Sequence, residues 1–183
     1  MKKRQRKTIY VLLTRFPDGG SKAISALTCS YYTHASIGFE EDMNTFYSFV
    51  NKGFIVEDLS RYANKPGREP FPCQLYEIQV TERIYNAAKK IVSRFEDNKK
   101  HMKYTVFGVA MCMFNVKYHK NRSYFCSHFV AEVLKRSKAV NLKKDTSLYF
   151  PKDLKKVDGL KLGFTGNLRG MINHFGIVPS LSL

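Results

Sequence analysis

The chain has 183 residues, enough for one ordinary domain, and its 44% hydrophobic and 25% charged content excludes wholesale disorder. Thirty-one Lys and Arg against 15 Asp and Glu give a formal charge of +16. No apolar run reaches the ~18 residues of a membrane-spanning helix. The basic start MKKRQRK precedes only a short apolar stretch with no small-residue cleavage site, so a cytoplasmic protein is expected. Residues 1–7 are expected to form a disordered tail and 8–183 a single domain.

The charge is uneven. Residues 1–98 carry 15 basic and 11 acidic side chains, whereas 99–183 carry 16 and 4, a net +12. Such a half can attract nucleic acid, anionic membrane or anionic substrates through its field, yet no nucleic-acid-binding motif accompanies it. Solubility is the simpler reading of the lysines. The four cysteines, Cys29, Cys73, Cys112 and Cys126, are widely spaced and form no CxxC pair. That pattern fits neither structural zinc nor a disulfide framework, and it suits a reducing compartment.

Taken in chain order, TIYVLLTRF (8–16) predicts a strand ended by Pro17-Asp18-Gly19-Gly20, and Ser21 caps a predicted helix SKAISALTCSYY. Residues 33–40 and 45–57 predict two strands around the turn Glu41–Asn44. In the first, Ala35, Ile37 and Phe39 alternate with His34, Ser36 and Gly38, giving an apolar face and a small, polar face with room for a substrate or a helix end. Pro66, Pro70 and Pro72 mark an irregular crossing before a strand at 74–80.

Thr81 opens a predicted helix over 82–99. Residues 104–115 are apolar nearly all round and predict a buried helix. A last helix starts at about Ser127, with Phe129, Val130, Val133 and Leu134 as its apolar stripe. The remainder, including Gly163–Gly170, reads as loops and short elements. Strands first and helices later argue for α+β with an antiparallel sheet.

Cys126 stands at the start of that last helix, where the positive helix end favours thiolate and free N–H groups can hold an oxyanion. A thiolate there wants a histidine as base. Of the five histidines, His34 opens the strand with small same-face neighbours. His128 reads as a solvated helix-face residue, His119 as solvated, and Cys29 and Cys112 as core. Tyr32 and Tyr124 flank the pair and read as packing residues.

The strand histidine in THASIGFEE, the strand ending in FVNKGF, and YFCSHFVAEVL followed by LYFPKDL together resemble the circularly permuted NlpC/P60-type papain-like proteins. These include the YiiX-like amidases and the lecithin:retinol acyltransferase group. In permuted members the histidine precedes the cysteine helix, as here, and the resemblance spans roughly 8–157.

It implies a papain-like fold, Cys126 as nucleophile, His34 as general base, and no metal or organic cofactor. Counting back five residues from Gly53 places the third, polar member at Ser48. A serine cannot stabilise an imidazolium as a carboxylate does. Ser48 therefore leaves open a weaker enzyme, an orienting group from elsewhere, or a different strand register. The expected activity is that of a cysteine hydrolase or acyltransferase on a small-molecule, peptide or lipid-like acyl substrate, an anionic one if the lysines steer it. The alternatives are a catalytically idle ligand- or partner-binding member of the fold and a basic protein that binds nucleic acid or a membrane surface.

Overall fold

A computed structural model describes residues 6–15, 30–63 and 71–177. Among these residues eight strands and six α-helices follow one another: β1 (Arg6–Thr14), β2 (His34–Phe39), β3 (Asp42–Val50), β4 (Gly53–Asp58), α1 (Leu59–Ala63), β5 (Pro72–Thr81), α2 (Glu82–Asp97), β6 (Lys103–Tyr104), α3 (Val106–Met113), β7 (Ser123–Tyr124), α4 (Cys126–Arg136), α5 (Pro151–Leu154), β8 (Lys161–Asn167) and α6 (Leu168–Phe175). Six strands form one sheet in the order β4-β3-β2-β1-β5-β8, every neighbouring pair antiparallel. The fold is therefore α+β. β6 and β7 form a small parallel pair.

Alternation along the strands divides the core into two layers. Ile9, Val11 and Leu13 of β1 and Ala35, Ile37 and Phe39 of β2 face α2 and α4. Around Phe49, the rings of Phe54, Phe95, Tyr124 and Phe129 meet at centroid distances of 5.3–6.0 Å, the offset and edge-on geometry aromatic rings prefer. On the other face, Tyr10, Leu12, Phe46 and Leu75 pack against Leu59 of α1 and Leu168, Met171 and Ile172 of α6. Gly38 belongs to this second layer. A Cβ there would lie 2.7 Å from the Phe46 ring, so the space beside Gly38 is taken by Phe46 rather than left for a ligand.

Several sequence expectations change. The stretch 45–57 is a hairpin, not one strand: Val50 pairs with Gly53, and Gly53 has φ +100°, which a side chain opposes. The segment around Gly163–Gly170 is the edge strand β8 followed by α6. The apolar segment 104–115 is helical but not buried: in α3 only Gly108 and Cys112 are buried, while Val106 and Phe107 are exposed, as is Phe114 just beyond. Arg6 and Lys7, assigned to the tail, begin β1. The rest of the tail, the helix expected from Ser21 with Cys29, and the crossing through Pro66 and Pro70 lie outside the described residues, although Ser30–Tyr32 are not helical. Among the described residues no helix is long and apolar enough to cross a membrane.

Candidate active site

α4 begins at Cys126 because Phe125, extended at φ −115° and ψ 168°, takes the N-cap position, and its carbonyl accepts the Phe129 N–H at 2.9 Å. The buried side chains of Phe129, Val130, Val133 and Leu134 then anchor the helix in the first core layer. This sets the Cys126 sulfur at the helix N-terminus, where unpaired backbone N–H groups and the helix dipole favour an anion.

His34, the first residue of β2, is hydrogen-bonded to the Cys126 thiol. On its other side, His34 Nε2 lies 2.7 Å from Glu57 Oε1, and both side chains are buried. Glu57 sits on β4 opposite Phe46, where the Asn51–Lys52 turn has brought the chain back alongside β3. A thiol, an imidazole and a carboxylate are thus connected in sequence.

The electrostatics follow from this geometry. Burial alone would lower the pKa of His34, but the charge of Glu57 and hydrogen bonds to Cys126 and Glu57 reverse that and lift it to about 10. Burial alone would raise the Cys126 thiol. The hydrogen bond and charge of His34, with the Ala35 and Ser127 N–H groups directed at the sulfur, overcome it and hold the thiol below its ordinary value. The two partners move in the directions that stabilise a thiolate–imidazolium pair. Tyr104 feels the sulfur's charge: burial raises its phenol, and the negative Cys126 raises it further.

The expected members Cys126 and His34 are brought together. Ser48 is not the group on the imidazole; its hydroxyl donates to the Ala35 carbonyl at 2.6 Å and steadies β2 beside His34. The carboxylate on the imidazole is Glu57, which stays hidden while 45–57 is taken as a single strand. An acidic residue closing the apolar run GFIV is the available signal. No sequence pattern singles out Tyr104.

His128 is not solvated. It is 2% exposed, its two ring nitrogens have no hydrogen-bond partner among the described residues, and Tyr124, Phe125 and His119 surround it at centroid distances of 4.9–5.5 Å. His119 is exposed and bonded to Asp145 at 2.7 Å. Cys112 is core, and Tyr32 and Tyr124 pack against the first layer.

The lysines Lys143 and Lys144 line a cavity of about 200 Å³ that includes neither Cys126 nor His34, and they pair with Asp158 (3.0 Å) and Asp153 (2.9 Å). Among the described residues no group of three His, Cys, Asp or Glu side chains could hold a metal ion. In comparisons with known proteins, no family model matches the chain and no curated protein matches its sequence.

Proposed function

We propose that the protein is a cysteine-dependent hydrolase or acyltransferase acting on an amide, ester or thioester, built as a permuted papain-like domain of the NlpC/P60 type. The observation that carries this reading is the buried line from Cys126 through His34 to Glu57, with the His34–Glu57 contact at 2.7 Å. The Cys126 thiolate attacks the carbonyl carbon and forms a thioester. The His34 imidazolium gives its proton to the leaving amine, alcohol or thiol, and then accepts one from the incoming water or acyl acceptor. Glu57 holds the imidazole orientation and stabilises its charge. Backbone N–H groups at the start of α4 favour the oxyanion.

Incubation with an activated acyl ester, followed by intact-mass measurement, tests this directly. The expected result is one acyl adduct on Cys126, absent in Cys126→Ala and strongly slowed in His34→Ala. Absence of any adduct on Cys126 with a panel of amide-, ester- and thioester-derived probes would support the idle, ligand-binding reading instead.

A further inference from the structure

α3 leaves large apolar side chains at its two ends in solvent, while Ala110 and Met111 between them are half-buried. Phe107, Ala110, Met111 and Phe114 fall at i, i+3, i+4 and i+7, the spacing of an apolar stripe that ordinarily meets a core. Here the inward side is Gly108 and Cys112, and Gly108 fits tightly because a Cβ would lie 2.6 Å from Thr105 Cγ2. Val106 and Phe114 are each 73% exposed, Phe107 57% and Val116 49%. Phe107 meets Tyr118 edge-on at 4.9 Å, so the loop after α3 folds back onto the helix, and Phe107 and Phe114, seven residues apart, fall on one helical face. Contiguous exposed apolar surface of this kind marks an interaction site.

The charge around the patch selects the partner. From Lys99 to Ala131 the chain has no Asp or Glu but carries Lys99, Lys100, Lys103, Lys117, Lys120 and Arg122. All six are exposed, and among the described residues none is ion-paired. The small β6/β7 pair gathers three of them at the base of α3: the Lys103 N–H donates to the Arg122 carbonyl at 2.8 Å, and Lys120 bridges to Ser123. An apolar tip ringed by unpaired cations complements a surface that is anionic outside and hydrocarbon within. Eight residues of helix span about 12 Å, far short of a bilayer core, so the helix can lie in the interface but cannot cross it.

We propose that α3, with its basic collar, docks the protein on anionic phospholipid membranes. The site lies beside the candidate nucleophile: the Thr105 N–H donates to the Tyr124 carbonyl at 3.2 Å, two residues before Cys126. Docking would hold the Cys126 end of the molecule against the lipid surface. The proposal does not depend on Cys126 chemistry, because binding alone is its readout.

Co-sedimentation with vesicles of phosphatidylcholine containing phosphatidylglycerol, against phosphatidylcholine alone, tests it. The full chain should bind the mixed vesicles at low salt, bind the neutral ones far less, and release as salt rises. Val106→Ser with Phe114→Ser should weaken partitioning about tenfold or more. Lys103→Gln, Lys120→Gln and Arg122→Gln together should also weaken it, and Cys126→Ala should bind as the parent does. Unchanged Tm in the Val106/Phe114 variant shows that the fold is retained, as expected for side chains facing solvent. The proposal is overturned by absence of binding to the mixed vesicles, by full binding in the refolded Val106/Phe114 variant, or by a solution dimer that this variant dissociates without vesicle binding by the parent. Equal binding of the Val106/Phe114 variant and the parent to duplex DNA, with vesicle binding also unchanged, would mean the collar acts by charge alone and would equally overturn it.

Discussion

His34 Nε2 meets Glu57 Oε1 at 2.7 Å although β3 lies between their strands in the sheet. The contact buries a carboxylate against a base, and a buried carboxylate is stable only when something compensates its charge. Removing that charge should therefore be felt at the sulfur. Glu57→Gln should lower the pKa of His34 by about 1–3 units and reduce alkylation of Cys126 near pH 6 about tenfold or more. Ser48→Ala removes only the hydrogen bond to the Ala35 carbonyl. It should cost about 1 kcal/mol of stability and leave the alkylation rate within about threefold. Rates of iodoacetamide modification, followed by peptide mapping, distinguish the two; the reverse ranking would return the orienting role to Ser48.

The thiols should sort by environment. Burial pushes both Cys73 and Cys112 up to about 12, whereas Cys126 is held below its ordinary value. Limiting iodoacetamide near neutral pH should select Cys126 over both, and prior labelling of Cys73 or Cys112 would show that the helix terminus and His34 do not activate the sulfur.

Acyl turnover should follow a bell. Its acid limb falls where the thiolate is protonated, and its alkaline limb falls near pH 10 as His34 loses the proton it must donate. Because the folded pKa of His34 is raised, its contribution to stability is complete below about 6.5 and fades as pH rises toward 10. A kcat/KM profile with no alkaline limb below pH 11 would argue against an imidazolium donor.

The start of α4 and the pleat of β2 are legible from local pattern: an apolar stripe fixes where the helix starts, and alternation fixes which β2 residues share a face. That Cys126 and His34 meet is carried by neither, because alternation groups His34 with Ser36 and Gly38, opposite the layer that α4 covers. Glu57 depends on a turn. The aromatic and β-branched residues on both sides of Asn51–Lys52 run as one strand, and only the pairing of Val50 with Gly53 shows the chain reversing. α3 fails for the opposite reason. Hydrophobicity shows that a surface wants cover, not whether this chain supplies it. β8, with Gly163 and Gly166 and mostly exposed side chains, lacks the apolar face that marks a strand and is held by pairing with β5.

The hairpin that positions Glu57 has its own weak point. At Gly53, φ is +100° and a Cβ would lie 2.4 Å from the Met102 carbonyl oxygen. Gly53→Ala should cost at least about 2 kcal/mol, a Tm loss of about 4–8 °C in a chain of this size. It should also slow Cys126 alkylation, since β4 carries the carboxylate. Calorimetry and the labelling rate read the two effects on one sample; an unchanged Tm would mean that this turn does not hold β4 as described.

His128 should make the protein acid-sensitive. Burial and, less, nearby His119 lower its pKa to about 4, with Asp145 opposing. The sign follows from proton counting: between about pH 6.5 and 4 the unfolded chain binds a proton at this position that the folded chain refuses, so stability falls as pH falls. The full effect is on the order of 3 kcal/mol. His34 is protonated in both states below about 6.5, and Asp145, held at about 2 by Ser147 and His119 against the opposing effect of burial, loses its contribution mostly below pH 4. His128→Phe keeps a planar ring among Tyr124, Phe125 and His119 and removes the titration. Urea unfolding at pH 7 and pH 5 should show the parent losing stability on acidification and the phenylalanine variant losing markedly less. Parallel losses in the two proteins would place the acid sensitivity elsewhere, with Cys126 the next group to examine, because its depressed pKa also loses stability as pH falls.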